Sequence, residues 1–267
     1  MRWWCGVVGA TLVLGAISGA AAAPPGEPLA YGVFASEQVR LGARVQVTGD
    51  VGANDEVRIG PRSSIDGVVA APTIRVGRKA TSGERVCVLV IGGKEDCLPL
   101  TSPVVSPGSL GVGLVAPGSE DVTVPRRGRR APHDAGAYGQ LRIGRGSELV
   151  LTGGDYLFER IRLARGASLR CAAPCRLSVR RTVRMGRRAS IEAASQALED
   201  AVRVDVTGQR ARTAVRLGPH AALHGILWAP VGRVRLGGHA TIGRSVVAAE
   251  LRVGARARIG TDVGGPE

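Results

Sequence analysis

The chain is poor in aromatic residues and almost without lysine. Phe, Trp and Tyr make up 3% of its 267 residues, and of 36 basic residues only Lys79 and Lys94 are not arginine. A core built without large rings must be filled by Val, Leu, Ile and Ala. That suits a narrow, regular interior better than an irregular globular one. The scarcity of rings also argues against a carbohydrate-binding module, which needs exposed aromatic platforms. Beyond residue 22 the rings are Tyr31, Phe34, Tyr138, Tyr156, Phe158 and Trp228, and most follow Gly-rich turns or apolar segments, so they read as core or end plugs. Trp228, just before Ala229-Pro230, is the ring best placed for ligand contact. Regular Thr-x-Thr rows, which would suggest an ice-binding face, are absent.

Motifs for catalysis are missing too. No G-x-S-x-G elbow occurs, and the Ile91–Asp96 stretch IGGKED has neither the spacing nor the following helix of a phosphate loop. Hydrolases and lyases built on β-helices gather carboxylates on one face. Here the acids are scattered as Glu95-Asp96, Glu120-Asp121 and Glu199-Asp200, loop pairs without a third partner. A Cys171-x3-Cys175 metal site would need two more ligands, and no Cys or His lies near it in sequence. The reading therefore assigns no catalytic residue, cofactor or metal ligand; a polysaccharide lyase or hydrolase remains the catalytic alternative.

What is present begins with an export signal. In MRWWCGVVGATLVLGAISGAAAAPPGEP, Arg2 is the positive n-region, Trp3–Ile17 the apolar run and Ala20-Ala21-Ala22 the small-residue cleavage site. Cleavage after Ala22 places the protein in the periplasm, at the outer surface or outside the cell. Left uncut, the segment is nearly long enough to anchor the chain in a membrane. Its removal takes one Arg and no acid from the net charge of +14, leaving +13. Cys87, Cys97, Cys171 and Cys175 then remain, an even number in an exported chain, which points to disulfides. Local pairing is the simplest of the connectivities: Cys87 with Cys97 across a hairpin with a Gly-Gly turn, and Cys171 with Cys175 across Ala-Ala-Pro.

A short unit recurs through the rest. It reads apolar, Arg, apolar, Gly (once Ala), and it starts at Val39, Val57, Ile74, Leu141, Ile161, Val183, Val215, Val234 and Leu251. The starts lie 18 and 17 residues apart in a first group, and 20, 22, 32, 19 and 17 apart in a second. Alternation such as Val39-in, Arg40-out, Leu41-in is strand periodicity, and the Gly suits a tight corner. Two or three short strands fit in 17–22 residues, which is one coil of a parallel β-helix. The wide gap holds a weaker VRVDV, Val202–Val206, compatible with an irregular extra coil. The expected fold is all-β, a parallel β-helix with a Pro/Gly-rich insertion. Its parts are a signal peptide (1–22), N-terminal coils (23–83), a disulfide hairpin with a Pro/Gly/Arg-rich insertion or linker (84–137) and a main block (138–267). The shared unit favours one solenoid over two.

Three stretches carry a resemblance. AYGVFASEQVRLGARVQVTGDVG (30–52), the Tyr138-Gly139 and Gly153-Gly154-Asp155-Tyr156-Leu157-Phe158 signatures, and Gly225–Pro230 are similar to secreted bacterial β-helix domains of surface and pilus-associated proteins. The coils also resemble bactofilins, polymer-forming cytoskeletal β-helices of the cytoplasm. The signal segment counts against membership of that group. The resemblance implies a structural or surface role and no catalytic residues.

The unit also aligns charge. Arg40, Arg58, Arg75, Arg142, Arg162, Arg184, Arg216, Arg235 and Arg252 occupy one slot in all nine copies. Stacked coils would turn them into an outward stripe, with neighbouring charges repelling by about 1 kcal/mol in water. Such a stripe reads either as a solvated face whose stems cover the aliphatic ladder or as a surface for a polyanion: acidic polysaccharide, lipopolysaccharide or extracellular DNA. Arg126-Arg127 and Arg129-Arg130 would add a flexible basic arm. No recognition helix for sequence-specific DNA contact is visible. His220 and His239 share a corner slot with Arg44, Arg62, Lys79, Arg188 and Arg256, which reads as a basic column rather than a metal pair. The expectation is an exported, non-enzymatic structural or surface protein, self-assembling end to end or binding an anionic polymer.

Overall fold

The computed structural model describes residues 31–92, 97–100, 116–194, 202–208 and 213–260. The signal segment and the pairs Glu95-Asp96 and Glu199-Asp200 lie outside them. The described residues form a parallel β-solenoid of about 10 turns. The first regular turn shows the plan. The strand Val33–Leu41 breaks register after Ala35 and resumes at Gln38, a corner follows, and Gln46–Val47 lies on a second sheet. Val33, Ala35, Val39, Leu41, Val45 and Val47 point inward and are buried. The same inward set recurs on each turn, so one continuous aliphatic core fills the tube, joined by Tyr156 and Phe158. Tyr31 and Phe34 lie outside that tube. With Ala70, Trp228 and Val247 they form a second, smaller apolar cluster, against which Val86 and Leu100 also pack.

The order of stacking is not the order of the chain. Val33–Leu41 pairs with Val51–Ala53 and Glu56–Ile59 on one side and with Val246–Val253 on the other. The first turn thus sits directly on the last. From there the N-terminal turns run outward to Arg85–Ile91 and Leu98–Pro99 at one end. The next described strand, Val122–Val124, lies at the opposite end, and from it the chain winds back turn by turn to Val246–Val253. The two groups of coils share one core across this seam.

The solenoid departs from the sequence reading at four places. Leu98–Pro99 pairs parallel, not antiparallel, with Val86-Cys87, so the Cys87–Cys97 disulfide closes a short end turn rather than a hairpin. Val202–Val206 is not an extra coil: it and Thr213–Leu217 both lie between Cys175–Met185 and Ile226–Leu236, as two halves of one turn. The basic arm is a turn of the solenoid. Val122-Thr123-Val124-Pro125 is the repeat unit with Thr in the Arg slot and Pro in the Gly slot, and Arg129–His133 pairs with Glu148–Leu151.

The fourth departure concerns the corner. Positive φ falls not on the repeat glycine but two residues later, at Arg44, Arg62, Lys79, Arg127, Arg188, His220, His239 and Arg256, all between 53° and 58°. Gly146 and Gly166 hold the same slot at 64°. The repeat glycine answers a different need: a Cβ on Gly60 would lie 2.2 Å from the carbonyl oxygen of Gly42 on the next turn. Close backbone approach, not backbone handedness, fixes that residue.

Candidate anion-binding face

All nine arginines of the repeat fall in one column. Strand register places Arg75 beside Arg58, Arg58 beside Arg40, Arg40 beside Arg252, and Arg252 beside Arg235. It continues through Arg216, Arg184, Arg162 and Arg142. Ile91 and Thr123 end the column. The seam between Arg40 and Arg252 joins arginines from the two ends of the sequence without interrupting the row.

The residue two positions earlier on each strand decides how much of this charge is neutralised. Glu56 Oε2 accepts from Arg58 Nε at 2.7 Å, and its other oxygen accepts from Arg75 Nε. Glu250 accepts from Arg252 Nε at 2.6 Å and Arg233 Nε at 2.5 Å. Burial raises both carboxyls, but hydrogen bonds from these guanidinium groups and their charges outweigh it and hold Glu56 and Glu250 below their ordinary 4.5. Gln38 accepts from Arg40, and Gln140 from Arg142, which orients the side chains without cancelling charge. Among the described residues, Arg162, Arg184, Arg216 and Arg235 have no carboxylate within ion-pair distance.

A second cationic row follows the corners. At seven of the eight non-glycine left-handed residues the backbone N–H donates to a carbonyl on the adjacent turn: Arg62 to Arg78, Arg44 to Pro61, Arg256 to Ala43, His239 to Ala255, His220 to Gly238, Arg188 to Pro219 and Arg127 to Arg145. Where the left-handed slot holds Gly146 or Gly166, the preceding residue is Arg145 or Arg165. The His220 and His239 rings stack at 4.7 Å, 7° from parallel. Loss of hydration beside the stacked ring, the His239 charge, and Arg187 and Arg188 together hold the exposed His220 below its ordinary 6.5. Near the seam, Arg44, Arg62, Arg78, Lys79, His239 and Arg256 line a cleft of about 620 Å³.

Trp228 is not a free platform. It is 9% exposed, packs in the outer apolar cluster, and has the Arg203 guanidinium 5.4 Å above its ring. Arg203 and Arg176 in turn hold the buried Asp205 carboxylate at 2.8 and 2.5 Å. Asp121 Oδ1 accepts from the Gln140 backbone N–H at 2.7 Å. Among the described residues no group of three or more His, Cys, Asp or Glu could hold a metal ion, and no helix is long and apolar enough to cross a membrane. Both cysteine pairs are disulfides, Cys87–Cys97 and Cys171–Cys175.

Four arginines that the repeat did not single out stand beside the column. Arg160, Arg180, Arg181 and Arg233 share a cleft of about 980 Å³ with Arg162 and Arg184. The visible signal was the irregular spacing: extra residues accumulate where the long strands change register.

The fold and the two cationic rows define the class, a basic parallel β-solenoid. No family model matches the sequence, and no curated protein does. Four chains of solved structures match. One is an ice-binding protein from the Antarctic ascomycete Antarctomyces psychrotrophicus, at 11% identity over 89% of this chain and 97% of that one, with a TM-score of 0.39. Another is an ice-binding protein from an Antarctic biological consortium, at 10% identity over 96% of each chain, with a TM-score of 0.28.

Proposed function

We propose that the protein is an exported, non-enzymatic solenoid of the cell surface or envelope that binds an anionic polymer along its arginine column. The unbroken row of nine arginines carries this reading, because four of them face solvent with no carboxylate partner among the described residues. A row at one turn spacing of about 4.8 Å concentrates positive potential along a line, which suits a linear polymer more than a small ligand. The role needs no cofactor. It accords with the resemblance to secreted surface domains, and both disulfides suit an oxidising compartment. Against the lyase or hydrolase alternative, Glu56, Glu250 and Asp205 are each held by two arginines, and Glu148 is paired with Arg129 and Arg170.

Retention on immobilised heparin as a function of salt tests the reading. The native protein should elute late, and retention should fall steeply with ionic strength. Each Gln replacement at Arg162, Arg184, Arg216 or Arg235 should reduce the slope of log K against log salt by about one. Loss of binding only when Arg129 and Arg130 are replaced would move the site to the end turn.

A second reading, self-association, has its own observation: among the described residues the large exposed apolar side chains, Val88, Leu89, Ile91 and Leu98, all lie on the turn at one end.

A further inference from the structure

We infer that the cleft lined by Arg160, Arg162, Arg180, Arg181, Arg184 and Arg233 is a dedicated site for a cluster of two or more adjacent phosphate groups. The inference rests on the polyanion reading and narrows its ligand.

Surplus chain builds the cleft. Between Phe158 and Arg160 one residue intervenes, whereas the paired strand has two, Arg180 and Arg181, between Val179 and Thr182. On the next turn the strand ends at Val206, Thr207 and Gly208 follow outside it, and the next described strand starts at Thr213. On the turn after that, three residues separate Ala229 from Arg233, against one between Ala248 and Glu250. Three consecutive turns thus bulge at one meridian, and bulges re-aim side chains beside binding sites. The floor is kept small. A Cβ on Gly208 would lie 2.2 Å from the Arg181 carbonyl oxygen, and one on Gly232 would lie 2.5 Å from the Ala214 Cβ. These glycines let the bulged turns approach closely, and the small residues Gly208, Thr213 and Ala214 line the cleft together with the arginines.

The charge balance selects the ligand. Arg181 is paired with Glu159 at 3.0 Å and Arg233 with Glu250. Arg160, Arg162, Arg180 and Arg184 have no carboxylate partner among the described residues. Four uncompensated guanidinium groups around one cleft call for dense negative charge. A uronate sugar brings one carboxylate per residue, spread along its chain. A phosphate monoester brings about −1.5 to −2 and oxygens that arginine forks can chelate in pairs. Adjacent phosphates match both the charge and the donors.

Titration calorimetry with sodium tripolyphosphate tests this, with oligogalacturonate of equal charge as comparator. Tripolyphosphate should bind about ten-fold or more tighter than the uronate. Arg180→Gln and the double variant Arg180→Gln/Arg181→Gln should each weaken it by a similar factor. Arg258→Gln, on the other sheet, should leave it unchanged, and thermal melting should show all three folded. Equal affinity for the two anions, or indifference to Arg180→Gln, overturns the inference. Vesicles of phosphatidylcholine carrying a bisphosphorylated lipid identify the source: binding to them as well as to tripolyphosphate assigns the groups to a lipid headgroup, and binding to tripolyphosphate alone to a soluble phosphate, either result sustaining the site. Heparin retention that responds to Arg216→Gln and Arg235→Gln while tripolyphosphate fails to bind removes the cleft and leaves the column. The reverse pattern removes the column and leaves the cleft.

Discussion

At the residue scale, Glu250 shows how the solenoid tolerates its own charge. Its carboxylate is 10% exposed and joins Arg252 on its own strand to Arg233 on the preceding turn. Replacing it with Gln removes the negative charge that faces two guanidinium groups, which stay in place. Glu250→Gln should therefore cost about 1–2 kcal/mol at pH 7 in urea denaturation, between the value of an exposed pair and that of a buried one. The pH dependence has a fixed sign. The folded protein holds this carboxyl below 4.5, so its stabilisation is present above that value and disappears as pH falls through the lower, folded one. The gap between native and variant stability should stay constant from pH 7 to about 5 and close in more acid solution. A gap that widened on acidification would rule out the pairing.

At the element scale, the strands were legible and the corners only partly so. Alternation around each Arg states which side chains face inward, because a strand has a period of two and the inward set must be aliphatic. That logic placed Val39, Val57, Val215 and Val234 inside, and all four are fully buried. It failed at Val122-Thr123-Val124-Pro125, where Thr and Pro disguise the unit, and at Arg160, Arg180 and Arg181, which depend on bulges that no local pattern reports. It also misassigned the strain. A non-Gly residue at positive φ costs about 1 kcal/mol, and eight corners accept it at Arg, Lys or His. At seven of them the backbone N–H is engaged on the neighbouring turn, which secures the conformation. Arg188, at φ 56°, makes the test. Arg188→Val should destabilise by about 1–2 kcal/mol, since β-branching fits this region worst, whereas Arg188→Gly should be neutral or up to about 1 kcal/mol more stable. Equal losses for the two would mean that the Arg side chain, not the backbone, matters there.

At the scale of the whole molecule, the crossing of the chain leaves the stack with two unlike ends. At one, Arg85–Ile91 is paired on its inner side with Val69–Val76, while Leu98–Pro99 covers only Val86 and Cys87 on the outer side. Among the described residues this leaves the backbone edge at Leu89–Ile91 without a strand, flanked by Val88, Leu89, Ile91 and Leu98 at 39–75% exposure. The other end, at Val122–Val124, presents Arg126, Arg127, Arg129 and Arg130, all exposed. Head-to-tail stacking would set those four arginines against an apolar surface and desolvate Arg126, Arg127 and Arg130, which have no carboxylate partner among the described residues, while Arg129 keeps only Glu148; that cost opposes the contact. Apolar end against apolar end buries like with like and closes after two copies, as a twofold contact must. Self-association should therefore stop at a dimer. Sedimentation at rising concentration should show monomer giving way to dimer with no larger species, and Leu89→Lys should keep the protein monomeric while its melting temperature stays near that of the native chain. Filaments under the electron microscope, or a monomer at every concentration, would exclude the paired arrangement. A dimer formed this way would also carry two arginine columns outward from a shared apolar centre, doubling the length over which one anionic polymer could be held.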